Sequence, residues 1–175
     1  MTRRYDSKTA SFSSEGRLLQ VEYAFENVSK SIPTMGVLTK ECKKMRCQWI
    51  GVILSAKKQV LSKLLAPEKF SEKMYLIDDH IICSVCGMAS DALILVESAR
   101  KHAQNYFYTF KESIPVEQLV ELLSNAIHVP TQYGSFRPYG ASILFAGYDK
   151  YSKFQLFCAD PSGNYASWKA HVLGT

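Results

Sequence analysis

Residues 90–130 read SDALILVESARKHAQNYFYTFKESIPVEQLVELLSNAIHVP, and this stretch decides the class of fold. Its apolar residues recur every three or four positions, which is the spacing of one helix face. The first stripe comprises Ala92, Leu95, Val96, Ala99, Ala103, Tyr106 and Phe110. Ser90 is the candidate N-cap of this helix. A second helix is predicted to open at Pro115 and to stop at Pro130.

Strand-like segments flank these two helices on both sides. Before them lie residues 34–39, 50–56, 74–77 and 81–85, and after them residues 141–146, 154–158 and 165–172. A further helix is predicted over residues 17–29, with Ser14 as its candidate cap. Strands and helices in blocks indicate an α+β fold, with antiparallel sheets packed under a helix layer.

The composition fits one folded domain. The chain has 175 residues, 47% of them hydrophobic, and a net charge of +5. No apolar run is long enough for a membrane span, and the N-terminus lacks the apolar core of a signal peptide, so no membrane association is expected. The basic run at residues 40–46 permits nucleic-acid contact, but a solvated loop is the preferred interpretation, and no nucleic-acid partner is predicted.

Five cysteines allow two interpretations. A four-cysteine zinc site is one interpretation, with Cys42, Cys47, Cys83 and Cys86 as its ligands. However, Cys83 and Cys86 are three residues apart in a predicted strand, so their side chains should point to opposite faces. Buried free thiols are preferred, and no metal or other cofactor is predicted.

Several motifs resemble one family. They are residues 4–7 (RYDS), 15–18 (EGRL), 20–24 (QVEYA), 71–75 (SEKMY), 87–91 (GMASD), 137–140 (RPYG) and 160–165 (DPSGNY). In this order they resemble the alpha-type subunits of the proteasome core particle, and they look most like the eukaryotic type-4 branch. The resemblance implies an N-terminal-nucleophile-hydrolase-like sandwich of antiparallel sheets with helix layers.

The resemblance also implies a division of the chain. Residues 1–29 would form the gate tail and first helix, and residues 30–175 the sandwich domain, incomplete at its C-terminus. Family members continue with elements that cover the second sheet, so the fold class is expected to be C-terminally truncated relative to the family. Apolar sheet surface is then expected to be exposed or to need a partner.

For the tail, the resemblance implies a gate over a central pore. The cluster that holds such a gate matches Tyr5, Asp6 and Tyr23, and Ser14 stands where the family has a turn proline. Serine allows more backbone freedom than proline, so the conformation of the turn is expected to be less restricted. A frayed terminus is the alternative for the tail, and an ordinary core helix is the alternative to a first helix that packs on neighbouring subunits.

For a second site, the resemblance implies a pocket between adjacent alpha subunits that takes the C-terminal carboxylate of an activator or regulatory particle. Lys73 matches the lysine that pairs with the carboxylate, and Gly87 matches a glycine that lets the tail approach. Ile32 stands where some relatives have a second glycine. The alternative for Lys73 is an ordinary solvated surface lysine.

No catalytic residue is predicted. Catalytic relatives use an N-terminal threonine whose own amine activates the hydroxyl, but Thr34 is internal and follows Pro33. The relatives' acidic partner aligns with Lys57. We therefore expect a cytoplasmic and nuclear subunit that joins other alpha subunits in a seven-membered ring, with beta-type subunits and activator tails as further partners. An active threonine hydrolase and a non-assembling paralogue are the alternatives.

Overall fold

A computed structural model describes residues 10–39, 51–57, 64, 72–133 and 136–175 of the chain. Its helices are α1 (Leu19–Ser29), α2 (Ala89–Phe110) and α3 (Val116–Gln132). Its strands are β1 (Thr34–Leu38), β2 (Val52–Ala56), β3 (Met74–Asp78), β4 (Ile81–Gly87), β5 (Ala141–Asp149), β6 (Lys153–Ala159), β7 (Tyr165–Ser167) and β8 (Ala170–Leu173). The predicted α+β class is confirmed.

The strands form two antiparallel sheets that pack face to face. The larger sheet has the order β3-β4-β5-β6-β7 and the smaller has the order β2-β1-β8. Gly36 of β1 faces Leu156 of β6 so closely that an added Cβ would lie 2.7 Å from the leucine Cδ1. The absent side chain lets the two sheets approach each other.

The main core lies between the five-stranded sheet and the helices α2 and α3. The predicted α2 stripe is buried from Ala92 to Ala103, whereas Phe110 at its end is exposed. Central strand β5 is buried along seven of its nine residues, which explains the apolar run from Ile143 to Gly147. Helices α2 and α3 bury their stripes against Ile143 and Phe145 of this strand, among other residues. Among the described residues, no helix is long and apolar enough to cross a membrane.

The predicted final strand, residues 165–172, is wrong as a single element. The chain forms β7 on the large sheet and then β8 on the small sheet. The crossing is visible in two hydrogen bonds. Trp168 N donates to Leu156 O of β6 over 2.8 Å, and Lys169 O accepts from Leu38 N of β1 over 2.7 Å. One short peptide therefore connects the two layers of the sandwich.

The two predicted serine caps are also wrong. Helix α1 begins after Leu18 and α2 begins after Met88, and neither start has a side-chain cap hydrogen bond. The hydroxyl of Ser13, rather than that of Ser14, accepts backbone N–H bonds from Glu15 and Arg17, at 3.3 and 3.1 Å. Ser13 thus closes a turn before the helix and does not cap the helix itself.

The predicted limits of α3 need correction at both ends. Pro115 is the N-cap residue, so the helix begins one residue later than expected. Pro130 lies inside the helix, which continues to Gln132. The last turn is held from outside, because Gly163 packs on His128 and the Ser162 carbonyl lies 3.0 Å from Nδ1 of that histidine. Tertiary contact here outweighs the tendency of proline to end a helix.

Candidate functional site

Lys73 immediately precedes β3, and its side chain is anchored rather than freely solvated. Its ammonium donates to the carbonyl of Ile32 over 2.5 Å and lies 3.5 Å from the carbonyl of Pro33. Its own carbonyl accepts from Val85 N and from Ser84 Oγ on β4. Partial burial lowers the pKa of Lys73. The side chain is therefore held against the segment that joins α1 to β1.

A hollow of about 280 Å³, the Lys73 pocket, opens beside this ammonium. It is lined by Lys30, Ser31, Ile32, Glu72, Lys73, Val85, Gly87 and Ala89. An adjoining hollow of about 250 Å³ shares Lys30 and Ile32 with it and adds Pro33, Lys57 and Thr175. A third hollow, of about 190 Å³, shares Glu72 and Lys73 and adds Ala56 and Met74. Both residues predicted for an activator pocket, Lys73 and Gly87, thus line one concave surface.

The backbone conformation and the close packing at position 87 both require a glycine. Its φ is +109°, and a Cβ at this position would lie 2.2 Å from Gly140 O and 2.9 Å from the Cα of Ala141. These are backbone atoms of the neighbouring strand segment, so they cannot swing aside. The glycine is therefore needed for packing at the end of β4, and its predicted role in admitting a peptide tail stays a prediction.

Thr34 is the first residue of β1, and its side chain is completely buried. Its hydroxyl donates to Val85 O over 3.3 Å, and its nitrogen is in a peptide bond with Pro33. The ammonium of Lys73 contacts the carbonyls of Ile32 and Pro33, the two residues that precede Thr34. Lys57, which aligns with the acidic partner of catalytic relatives, is exposed. In this arrangement the hydroxyl does not face solvent, and the nitrogen of Thr34 itself is an amide rather than a free amine.

The predicted gate residues are only partly described. Ser14 is exposed in the turn closed by Ser13, and Tyr23 lies on α1 with 45% of its surface exposed. Tyr5 and Asp6 lie outside the described residues. The gate cluster therefore stays a prediction. Serine at the first position and Gly16 at the fourth are typical of a turn, and the Gly16 N to Ser13 O hydrogen bond closes one here, but the bonds that the Ser13 hydroxyl accepts were not predicted.

A clamp between the buried Asp91 and the partly exposed Arg137 lies beside the Lys73 pocket and was not singled out from the sequence. The carboxylate of Asp91, in the first turn of α2, accepts from Nη1 and Nη2 of Arg137 at 2.6 and 2.7 Å. It also accepts from Gly140 N at 2.9 Å, while Asn27 of α1 donates to Gly140 O. Arg137 lowers the pKa of Asp91. Two of the sequence motifs, residues 87–91 and 137–140, thus meet here. Their hydrogen bonds connect α1 and α2 to the residue that precedes β5.

The described cysteines are buried and free. Cys83 lies in the core under the helices and Cys86 in the core between the sheets, so their predicted opposite orientation is confirmed. Burial raises the pKa of Cys83 to about 12. Cys42 and Cys47 lie outside the described residues. Across the described part of the chain, no group of three or more His, Cys, Asp or Glu side chains is placed to hold a metal.

Comparisons with known proteins match nearly the whole chain. The family model described as "Proteasome subunit" matches residues 50–175, and the model of the N-terminal signature of A-type proteasome subunits matches residues 5–26. The alpha type-4-A proteasome subunit of Arabidopsis thaliana is 49% identical over 99% of this chain. The alpha type-4 proteasome subunit of Petunia hybrida is 51% identical over the same share. The chain spans 66% of the length of each of these relatives.

Proposed function

The chain belongs to the proteasome subunit family, with the N-terminal signature of its alpha type, and we propose that it is a non-catalytic subunit that builds and gates the alpha ring of the core particle. In this role it supports ubiquitin-dependent protein degradation in the cytoplasm and nucleus. Its partners are other alpha subunits in a seven-membered ring, beta-type subunits and the C-terminal tails of activators. One observation carries the proposal: Thr34 is internal and fully buried.

The chemistry of Thr34 supports a structural role. A threonine hydroxyl is a poor nucleophile at its ordinary pKa, and an adjacent free amine is what activates it in N-terminal hydrolases. Here the nitrogen of Thr34 is an amide, its hydroxyl bonds Val85 O, and the nearby Lys73 ammonium is engaged by carbonyls. An amide nitrogen and a buried hydroxyl engaged with a carbonyl differ from the free amine and accessible nucleophile of an N-terminal hydrolase, which supports the proposal of a structural role.

The Lys73 pocket is the proposed docking site for an activator tail. A lysine ammonium has three donors, and the carbonyls of Ile32 and Pro33 take at most two of them. The remaining N–H can bind a carboxylate in the Lys73 pocket. A half-buried cation of lowered pKa gains from such a partner, because the negative charge offsets its desolvation.

The tail and the first helix are the proposed gating and assembly elements. Residues 1–13 would cover the pore, with Tyr5, Asp6, Ser14 and Tyr23 holding the open form. Helix α1 packs only Ala24 and Val28 deeply against the sheets. Its exposed side is therefore available to a neighbouring subunit.

The test is to express the tagged full chain in eukaryotic cells and to purify their proteasomes. We expect the chain to co-purify with the core particle with its N-terminus intact, as read by mass spectrometry of its terminal peptide and of peptides from residues 40–49. A form that begins at Thr34 and reacts with a threonine-directed probe would overturn the proposal. So would failure to co-purify, which is the outcome expected of a non-assembling paralogue.

The pocket is tested in the same particles. Lys73→Ala should weaken activator docking, whereas Lys101→Ala, at an exposed position on α2, should leave docking unchanged. Equal docking by the two variants would contradict the role of Lys73.

A further inference from the structure

The carbonyl of Ile32 accepts hydrogen bonds from two side chains. The ammonium of Lys73 donates to it over 2.5 Å, and the thiol of Cys86, on β4, donates to it over 3.5 Å. The same sulfur lies 3.7 Å from Val28 O, near the end of α1. A thiol has one proton to donate, and Ile32 O is the nearer acceptor. The oxygen that anchors Lys73 is therefore held from a second direction by Cys86.

Strand β4 also holds the backbone of Lys73. Ser84 Oγ and Val85 N donate to Lys73 O over 3.1 and 2.9 Å, and Cys86 is the next residue of the strand. The first two of these residues fix the main chain of the lysine, and the third contacts the acceptor of its ammonium. One strand therefore sets the position of both ends of this side chain.

Cys86 is placed to act as a neutral donor. It is 1% exposed and packs between the two sheets in a cluster with Leu144 and Leu173. Burial raises the pKa of Cys86, and the nearby charge of Lys73 offsets only part of this shift. A protonated thiol can donate to Ile32 O, whereas a thiolate would pair with the ammonium and neutralise it. The charge of Lys73 thus remains available to a ligand.

We propose that Cys86 is a positioning residue of the Lys73 pocket, whose thiol holds the Ile32 carbonyl so that this carbonyl keeps the Lys73 ammonium directed at a bound C-terminal carboxylate. The inference rests on the proposed docking role of Lys73. Ile32 and Lys73 line the pocket, whereas Cys86 is buried and acts through them. A fixed acceptor restricts the lysine side chain before the ligand arrives, so less conformational entropy is lost on binding.

Photo-crosslinking in core particles that contain the tagged chain tests the inference. The probe is an octapeptide that carries a benzophenone group and ends in Ala-Leu with a free carboxylate. Crosslinking to the tagged chain, measured against peptide concentration, gives the apparent affinity of this pocket alone. The same peptide with an amidated C-terminus lacks the carboxylate and measures the background.

Substitutions of Cys86 separate its hydrogen bond from its packing. Cys86→Ala should weaken the probe about threefold, near the lower end expected for one hydrogen bond, because a thiol is a weak donor. Cys86→Ser has nearly the volume of the alanine variant but keeps a donor, so it should retain most of the affinity. Cys158→Ala is the control, because its thiol lies in the same cluster but contacts Asp160.

A double-mutant cycle shows whether Cys86 acts through Lys73. Lys73→Met keeps the aliphatic stem without the charge and should weaken the probe more than Cys86→Ala does. In the Lys73→Met background, Cys86→Ala should cause no further loss. Recovery of each tagged variant in core particles checks that it folds and assembles.

Infrared spectra of the purified full chain give a second measurement that does not depend on assembly. The S–H stretching band of Cys86, assigned from the difference between wild type and Cys86→Ser, should lie at the lowered frequency of a hydrogen-bonded thiol. The frequency of a free thiol would overturn the inference.

The outcomes distinguish this inference from the proposed function. Equal binding by Cys86→Ala and wild type, equal losses in Cys86→Ala and Cys86→Ser, or a further loss in the double variant overturns the role of Cys86 and leaves that of Lys73 intact. Equal binding by Lys73→Met and wild type, or equal crosslinking of the free and amidated peptides, overturns the proposed carboxylate site itself.

Discussion

The two sheets are built from similar residues but differ in what covers them. The five-stranded sheet faces α2 and α3, and its Ile143 and Phe145 are completely buried. The outer face of the three-stranded sheet exposes apolar residues at alternate positions, paired across the strands as Met35 with Val172 and Val37 with Ile53. Ile53 is 61% exposed and Val172 is 56% exposed.

This difference shows that burial depends on the neighbouring layer as well as on the strand's own sequence. The expected exposed apolar sheet surface is present on the small sheet. Removing apolar atoms from water is the main source of folding free energy. We therefore infer that the helix-covered side supplies most of the stability, whereas the outer face of the small sheet contributes little to it.

The largest effect is expected in the helix-covered core. Phe145→Ala should lower the free energy of unfolding by about 3–5 kcal/mol, because it removes a fully buried ring and leaves a cavity. Urea unfolding followed by circular dichroism measures the change. A loss below about 1 kcal/mol would mean that this core is not the stabilising side of the molecule.

A backbone substitution at the end of β4 should have the next largest effect. Gly87→Ala should cost about 3 kcal/mol, since its positive φ and its contact with Gly140 O both oppose a side chain. The matched control is Gly16→Ala, which also has a positive φ but has no atom within 4 Å of the added Cβ. It should cost only about 1 kcal/mol. If both variants lose the same free energy of unfolding, backbone strain rather than the close contact with Gly140 accounts for the cost of Gly87→Ala.

The clamp between α2 and β5 should contribute less, because Arg137 is partly exposed. Asp91→Asn should cost about 2 kcal/mol at neutral pH through loss of charge-assisted hydrogen bonds. The pKa of folded Asp91 is below its ordinary value of 3.8. Its stabilising contribution is therefore complete above that pH and is lost as pH falls through the lowered folded pKa.

Unfolding of wild type and Asp91→Asn in urea at pH 7 and near pH 3 measures this dependence. The difference between the two proteins should shrink at the lower pH. Asp79→Asn is the control, because Asp79 is exposed in the β3–β4 turn. A difference of constant size at both pH values would contradict the assignment of the effect to ionised Asp91.

The smallest effect is expected on the outer face of the small sheet. Ile53→Thr should change stability by no more than about 0.5 kcal/mol, because the side chain is mostly exposed and threonine keeps a β-branched shape. Binding of a hydrophobic dye should fall. A loss as large as that of Phe145→Ala would remove the contrast between the two sheets.

By itself, the sequence determined the order of most elements and the buried stripes of the two central helices. Both are local properties, because side-chain direction repeats with the period of a helix or a strand. It also predicted the opposite orientation of Cys83 and Cys86, for the same reason. The motifs sufficed to indicate the family, since several matches in one order rarely arise together.

Only the tertiary structure decided which layer each strand joins. The division of residues 165–173 between two sheets depends on hydrogen bonds to Leu156 and Leu38, which are distant in the chain. The start of α2 after Met88 and the end of α3 beyond Pro130 are likewise accompanied by distant contacts, from Met88 N to Gly140 O and from His128 to Ser162 O. Lys57 and Lys73 also contact the same Pro33 carbonyl, although they are distant from it in the sequence. A pocket is formed by residues that are close in space, and a sequence pattern shows only which residues are close along the chain.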